Sequence, residues 1–374
     1  MCSSSDLAIG QRLETMPKNS PSLESMVTDP VRPGTASLAR VLIAPDKFRP
    51  SASAAQLRRV LANVVGEAGL VSVPIAISDG GEGLLESLGG EPQFTTVTGP
   101  LGQPVLAEWR RRSDQAGTIT AIIEMARASG LALVGGGGTN DPLRADTRGT
   151  GELIRAAIDA KASTIIVGCG GSASTDGGAG ALAALGDLLP RADVVLKVAC
   201  DVTTTFLDAP AVFGPQKGAS PDQVRALRSR LEVLSKNYRS RYGVELDDVA
   251  RTGAAGGLAG GLFAIGGVLV SGIDLVAEEV MLDDLIASSD LVITGEGKFD
   301  ETSLEGKAVG ALLERTRDRS RLLIIVGEAT IGIDPERNPH ATLVDLVARF
   351  GVERSFHETL DCVEIVAREA LESL

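Results

Sequence analysis

Gly168-Cys169-Gly170-Gly171-Ser172-Ala173-Ser174-Thr175-Asp176-Gly177-Gly178-Ala179-Gly180 lies between two apolar segments of different character. Before it, Thr164-Ile165-Ile166-Val167 is β-branched and short enough for a buried strand; after it, Ala181-Leu182-Ala183-Ala184-Leu185 suits a helix. A strand that passes through glycines and hydroxyls into a helix start is a place to hold an anion. Backbone N–H groups converge there, glycine admits a ligand close to the main chain, and the helix dipole favours negative charge. The stretch therefore predicts an α/β fold and a phosphate-handling enzyme.

Outward from it, two styles alternate. Towards the N-terminus, Val41-Leu42-Ile43-Ala44 reads as a strand, followed by the charged loop Pro45-Asp46-Lys47-Phe48-Arg49-Pro50. A helix then carries Leu57, Val60, Leu61, Val64 and Val65 and opens with a Ser53/Gln56 capping box. A further apolar run from Val71 to Ile77 ends in Ser78-Asp79-Gly80-Gly81-Glu82-Gly83. Residues 94–123 change to an antiparallel meander, and Thr150 is placed as the cap of the next helix. Beyond the glycine loop come a strand ending at Ala199, a helix opened by a Ser220/Gln223 capping box, and a small-residue stretch over 253–267 that reads as a packed helix pair. Near Asp290 the strand-helix alternation returns. The expectation is a discontinuous Rossmann- or flavodoxin-like parallel-sheet domain, 39–78 with 288–374, into which a second α/β domain, 79–287, is inserted. Residues 1–38, rich in Ser, Pro, Thr and Asp, read as a disordered tail, and Met16 or Met26 is an alternative start.

Composition narrows the function. The 44 glycines are about 12% of 374 residues against a usual ~7%, and they cluster beside apolar runs as loop chemistry. A net charge of −13 and only 3% aromatics argue against nucleic acid as a partner. No apolar run is long enough to span a membrane. Cys2, Cys169, Cys200 and Cys362 are scattered, which fits a reducing cytoplasm and neither a zinc nor a disulfide framework. A homodimer is one assembly that the sequence allows.

Five apolar runs end in a carboxylate beside small residues: Asp46, Asp79, Asp176, Asp201 and Glu296. In open α/β sheets ligands collect at the carboxyl ends of strands, so acids there can hold magnesium or accept a proton from a hydroxyl. Asp and Gly also form turns, and Asp176 is equally placed as a helix cap. Lys47, Arg49 and Lys217 are candidate contacts for a substrate carboxylate or a phosphate, with Arg148 a weaker one. Gly168, Gly170 and Ala173 fit Gly-x-Gly-x-x-Ala, which leaves a nicotinamide dehydrogenase as a rival reading. The P-loop pattern is missing, since Gly306-Lys307 is followed by Ala308, and the protein-kinase motif set is missing too.

Taken in order, the motifs resemble those of the type I glycerate kinases across roughly residues 41–374. They are Ala44-Pro45-Asp46, Asp79-Gly80-Gly81-Glu82-Gly83, Val97-Thr98-Gly99-Pro100-Leu101-Gly102, Gly149-Thr150-Gly151-Glu152-Leu153-Ile154, residues 170–180, Ala199-Cys200-Asp201-Val202, residues 212–218, residues 253–257 and Thr294-Gly295-Glu296-Gly297. The resemblance implies ATP-dependent, magnesium-assisted phosphorylation of D-glycerate, with 2-phosphoglycerate favoured over 3-phosphoglycerate as product. With it, Gly170, Gly171, Ser172, Ser174 and Lys217 are assigned to the phosphates, and Asp201 and Glu296 to magnesium. Asp79 or Asp176 is assigned to the hydroxyl, and Asp46, Lys47, Arg49, Gly80, Gly81 and Glu82 to the substrate. Between Gly180 and Ala199 the chain is shorter than is usual for the family, which leaves as an alternative a relative that binds a nucleotide or acid metabolite without turnover.

Overall fold

The computed structural model describes residues 38–372 except 49, 191, 192, 305 and 318. The segment read as a disordered tail, apart from Leu38, therefore lies outside the described residues, as does Arg49. In chain order the strands are β1 (Arg40–Ile43), β2 (Val71–Pro74), β3 (Glu91–Thr98), β4 (Pro104–Ser113), β5 (Ile119–Glu124), β6 (Thr164–Gly168), β7 (Val195–Ala199), β8 (Val268–Val270), β9 (Leu291–Phe299), β10 (Arg321–Ala329) and β11 (Ala341–Asp345). They form a five-stranded sheet ordered β11-β10-β9-β1-β2 and a six-stranded sheet ordered β3-β4-β5-β6-β7-β8.

The first sheet is parallel throughout, and the chain leaves it after β2, builds the second, and returns at β9. In the second, β3, β4 and β5 form the meander read from the sequence, and β5 to β8 run parallel. The α/β class with a discontinuous parallel sheet and an inserted second α/β unit is thus the observed architecture.

Side-chain alternation sorts each strand into two cores. Val41 and Ile43 pack outward with Leu57, Leu61, Val363 and Val366 of the helices Ala54–Glu67 and Thr359–Leu371. Leu42, between them, faces the opposite way and joins Val292 and Ile324 in a cluster that also contains Ile122 and Ile166 of the second sheet. Leu84, Leu85, Ile273, Val276, Leu282 and Leu312 fill the space between the sheets. Ile123, Ile165 and Val167 point the other way again, onto Leu153, Ile154, Leu258 and Leu262. The two sheets consequently share one middle layer of helices, and residues from Ala39 onward pack as a single unit.

Both capping boxes form as read, Ser53 with Gln56 and Ser220 with Gln223. The cap at Thr150 does not. The helix runs Arg148–Asp159 with Thr147 before it, and Thr150 is buried with its hydroxyl 2.9 Å from that of Ser129. The packed helix pair read over 253–267 is a 3-10 turn, Ala254–Gly257, followed by one helix, Leu258–Ala264. Among the described residues no helix is long and apolar enough to cross a membrane.

Candidate active site

The loop after β2 is laid across the ends of β6 and β7 by contacts that only glycine allows. A Cβ on Gly80 would lie 2.6 Å from the Cα of Gly272, and one on Gly170 would lie 2.8 Å from the Cα of Gly81. Gly80 also has φ +87°, a left-handed value that L side chains disfavour. This stacking brings Asp79 close enough to Asp201 for its charge to be felt there. Asp201 Oδ1 accepts hydrogen bonds from the N–H of Gly272 at 2.9 Å and the hydroxyl of Ser271 at 3.3 Å. Its Oδ2 is buried with no hydrogen-bond partner, and the carboxyl is pushed up to about 7 by burial first and by Asp79 second.

A second pair of acids sits at the end of the five-stranded sheet. The N–H of Asp46 donates to the carbonyl of Gly295 at 2.8 Å, which sets Asp46 beside Glu296. Glu296 is buried, its Oε1 has no hydrogen-bond partner, and burial pushes it up to about 7 against the opposing pull of Ser303 and Lys307. Gly306 borders Asp201 while the charge of Lys307 reaches Glu296, so one short loop touches both acids. Among the described residues no group of three or more Asp, Glu, His or Cys gathers as a protein-only metal cage. Asp201 Oδ2 and Glu296 Oε1 are each an orphaned carboxylate oxygen, a donor of the kind magnesium takes singly or in pairs while substrate phosphates and water complete its shell.

Lys47 Nζ lies 3.2 Å from Glu82 and joins the loops after β1 and β2. Both side chains reach solvent, so the pair contributes positioning more than stability. They line a cavity of about 350 Å³ with Asp46, Ser53 and Arg58, and Arg58 pairs with Glu86.

The glycine loop builds a third wall. Gly170, Gly171 and Ser172 line a cavity of about 380 Å³ with Lys217, Phe213 and Val202. Lys217 is 2% exposed and donates to Ser172 Oγ at 2.7 Å and the Ser174 carbonyl at 2.6 Å. Burial holds its ammonium down at about 7, against the attraction of Asp176. The Ser174 side chain is fully buried and stands off this cavity. Asn140 Nδ2 donates to the carbonyls of both Ala173 and Lys217, tying the loop to the lysine.

Asp176 is set apart from the other acids. Its Oδ2 accepts from the N–H and hydroxyl of Thr147 and the N–H of Gly180, and its Oδ1 from the N–H of Gly178. Four internal donors engage both oxygens and make the carboxylate a joint between two helix starts.

Sequence reasoning passed over Glu124, Asn140, Arg58 and Arg251. Glu124 obeys the same rule as the five acids, an apolar run ending in a carboxylate, and it accepts the N–H groups of Gly83 and Leu85 to hold the Asp79 loop. The others carry no local signal, because their partners are 28 to 77 residues away in sequence.

Carboxylates at strand ends, a glycine loop with a buried lysine, and no P-loop define an α/β kinase of the small-molecule kind. The Glycerate kinase family model matches residues 41–193 and 187–350. Glycerate 2-kinase of Escherichia coli K12 is 39% identical over 308 residues, covering 72% of this chain and 79% of that protein. Glycerate kinase of Bacillus subtilis 168 is likewise 39% identical over 308 residues, with 72% and 79% covered. A crystal structure of a proposed glycerate kinase 2 from Salmonella typhimurium LT2 superposes with a TM-score of 0.71 at 31% identity, over 90% of this chain and 98% of that one. The chain belongs to the glycerate kinase family and is a kinase. The two stretches matched by the family model overlap at residues 187–193.

Proposed function

We propose that the protein transfers the γ-phosphoryl group of ATP to the 2-hydroxyl of D-glycerate, giving 2-phosphoglycerate and ADP. The observation that carries this reading is the meeting of the Asp79 loop with Asp201 and the glycine loop, which sets acids beside the loop that lines the Lys217 cavity. The naming of the Escherichia coli relative as a glycerate 2-kinase supports the choice of hydroxyl.

Phosphoryl transfer is mostly positioning and charge neutralisation. The N–H groups of Gly170 and Gly171, the Ser172 hydroxyl and Lys217 take the phosphates. Lys217, joined to the loop through Ser172, regains a full positive charge when an anion enters. Ser174 serves through its carbonyl, which orients that lysine. Asp201 Oδ2 and Glu296 Oε1 would hold magnesium, which when bound neutralises the triphosphate. Asp79 accepts the proton of the attacking hydroxyl as its oxygen bonds to phosphorus and the bond to the ADP oxygen breaks. Asp176, with both oxygens engaged, supports the fold instead. Lys47 and Arg58 face the substrate carboxylate, with Asp46, Gly80, Gly81 and Glu82 shaping the pocket floor; Arg49, read from the sequence as a further contact, lies outside the described residues. The inserted unit is taken as 79–287, so that the Asp79 loop is its first element.

Purified protein with ATP, magnesium and D-glycerate should release ADP, and phosphorus NMR should show a single 2-phospho ester. Absence of ADP release overturns the kinase reading for this substrate; a 3-phospho ester overturns the regiochemistry.

A further inference from the structure

Arg251 is one of four non-glycine residues described with a left-handed backbone, at φ +75°. That conformation is unfavourable for any residue with a Cβ and free for glycine, so a fold that keeps an arginine there has a use for its side chain. The guanidinium is pinned rather than loose: Nη1 donates to the carbonyl of Cys200, and the backbone N–H bonds the carbonyl of Thr203 at 3.3 Å. Its charge reaches Asp201, one residue beyond that carbonyl.

On its other side Arg251 lines a cavity of about 540 Å³ together with Ser271, Gly306 and Arg337. The acids of that wall are already engaged. Asp274 is paired with Arg315, Glu314 with Arg317, and Asp334 caps the N–H groups of Glu336 and Arg337. Neither Arg251 nor Arg337 is in a salt bridge among the described residues, which leaves two guanidinium groups on one cavity with donors to spare. A guanidinium carries five donors in a planar fork that matches phosphate oxygens, and Arg251 spends few of them inside the protein.

We infer that Arg251 is a phosphate-binding residue and that the cavity it lines receives the end of the nucleotide polyphosphate beside Asp201, the other end lying on the Gly170 loop with Lys217. This rests on the phosphoryl-transfer reading for its ligand but not for its test. The geometry has a consequence that a purely structural arginine lacks. Arg251→Gly removes the left-handed penalty and the anion contact together, so stability and binding move in opposite directions.

The experiment measures inorganic tripolyphosphate binding by calorimetry, without magnesium or glycerate, and the unfolding temperature, for the parent chain, R251G and R251K. The expected result is an unfolding temperature for R251G equal to or above the parent's, with affinity lower by about tenfold or more. R251K should fall between the two, since it keeps the charge without the fork. Equal affinity of R251G and the parent overturns the inference, as does a parent chain that binds no tripolyphosphate. Affinity lost equally in both variants, together with a lower unfolding temperature in both, assigns Arg251 to structure and overturns it as well. The kinase reading is decided separately by ADP release from the parent chain.

Discussion

Asp176 Oδ2 accepts both the backbone N–H of Thr147 at 3.0 Å and the Thr147 hydroxyl at 2.8 Å, so one carboxylate oxygen stitches the helix Arg148–Asp159 to the helix Ala179–Leu185. Hydrogen bonds to a buried charged group contribute more than neutral ones, and removing the acceptor strands every donor at once. Asp176→Ala should therefore lower unfolding free energy by about 3 kcal/mol or more, measured by urea titration. A variant that unfolds at the parent's midpoint but has lost turnover would return Asp176 to the chemistry.

Lys217 gives a signed pH dependence. Its folded value, about 7, lies below the ordinary 10.5, so between those pH values the unfolded chain binds the proton that the folded chain has released. Stability from this group rises with pH across that window and is flat below it, where both states are charged. Unfolding temperatures of the parent and Lys217→Met, followed from pH 6 to 10, should diverge in that sense, with the rise weaker in the variant. Parallel curves would show that the ammonium is not held down.

The same lysine predicts proton uptake. An anion seated beside it restores the charged form, so phosphate binding at pH 8 should draw protons from the buffer. Calorimetry in two buffers of different ionisation enthalpy reads this directly; identical enthalpies in both would refute it.

Asp201 separates binding from folding. Its Oδ2 has no partner and its charge is disfavoured by burial, so Asp201→Asn should keep or raise the unfolding temperature. Turnover should fall by about a hundredfold or more if the carboxylate neutralises transferring charge. An active D201N enzyme would remove it from the site.

Gly170→Ala tests the stacking of the two glycine loops. The added Cβ meets the Cα of Gly81 at 2.8 Å, backbone against backbone, and cannot be relieved by a rotamer change. A cost of about 1 to 3 kcal/mol is expected in stability, with a larger proportional loss in kcat as Asp79 is displaced. Retained kcat would mean that the loop positions nothing.

These residues also mark where the sequence was readable. Val41-Leu42-Ile43 and Thr164-Ile165-Ile166-Val167 announce buried parallel strands because both faces are covered, and Ser53 with Gln56 announces a helix start because its partners are three residues apart. Asp79, Asp201 and Glu296 stand out in the sequence as candidates because strand ends in such sheets face a ligand edge. For Asp176 the cap reading covers only the N–H groups of Gly178 and Gly180; its bonds to Thr147, 29 positions away, carry no local signal. The same holds for the use of Gly80 against Gly272 and the pinning of Arg251 by Cys200, which exist only after the two sheets have met. Thr150 misled for the same reason: its hydroxyl is claimed by Ser129, and the helix begins where Asp176 supplies an acceptor.

Leu42, Ile122, Ile166 and Val292 come from two different sheets yet wet one another's neighbours in a single apolar layer. The inserted segment is thus no detachable cartridge: cut out, it would carry away its side of the layer it shares with its host, and the remaining sheet would show a bare greasy flank to water. For anyone wishing to graft a new acceptor pocket onto this scaffold, the seam to cut lies in the loops around Lys47, Glu82 and Gly306, never between the sheets.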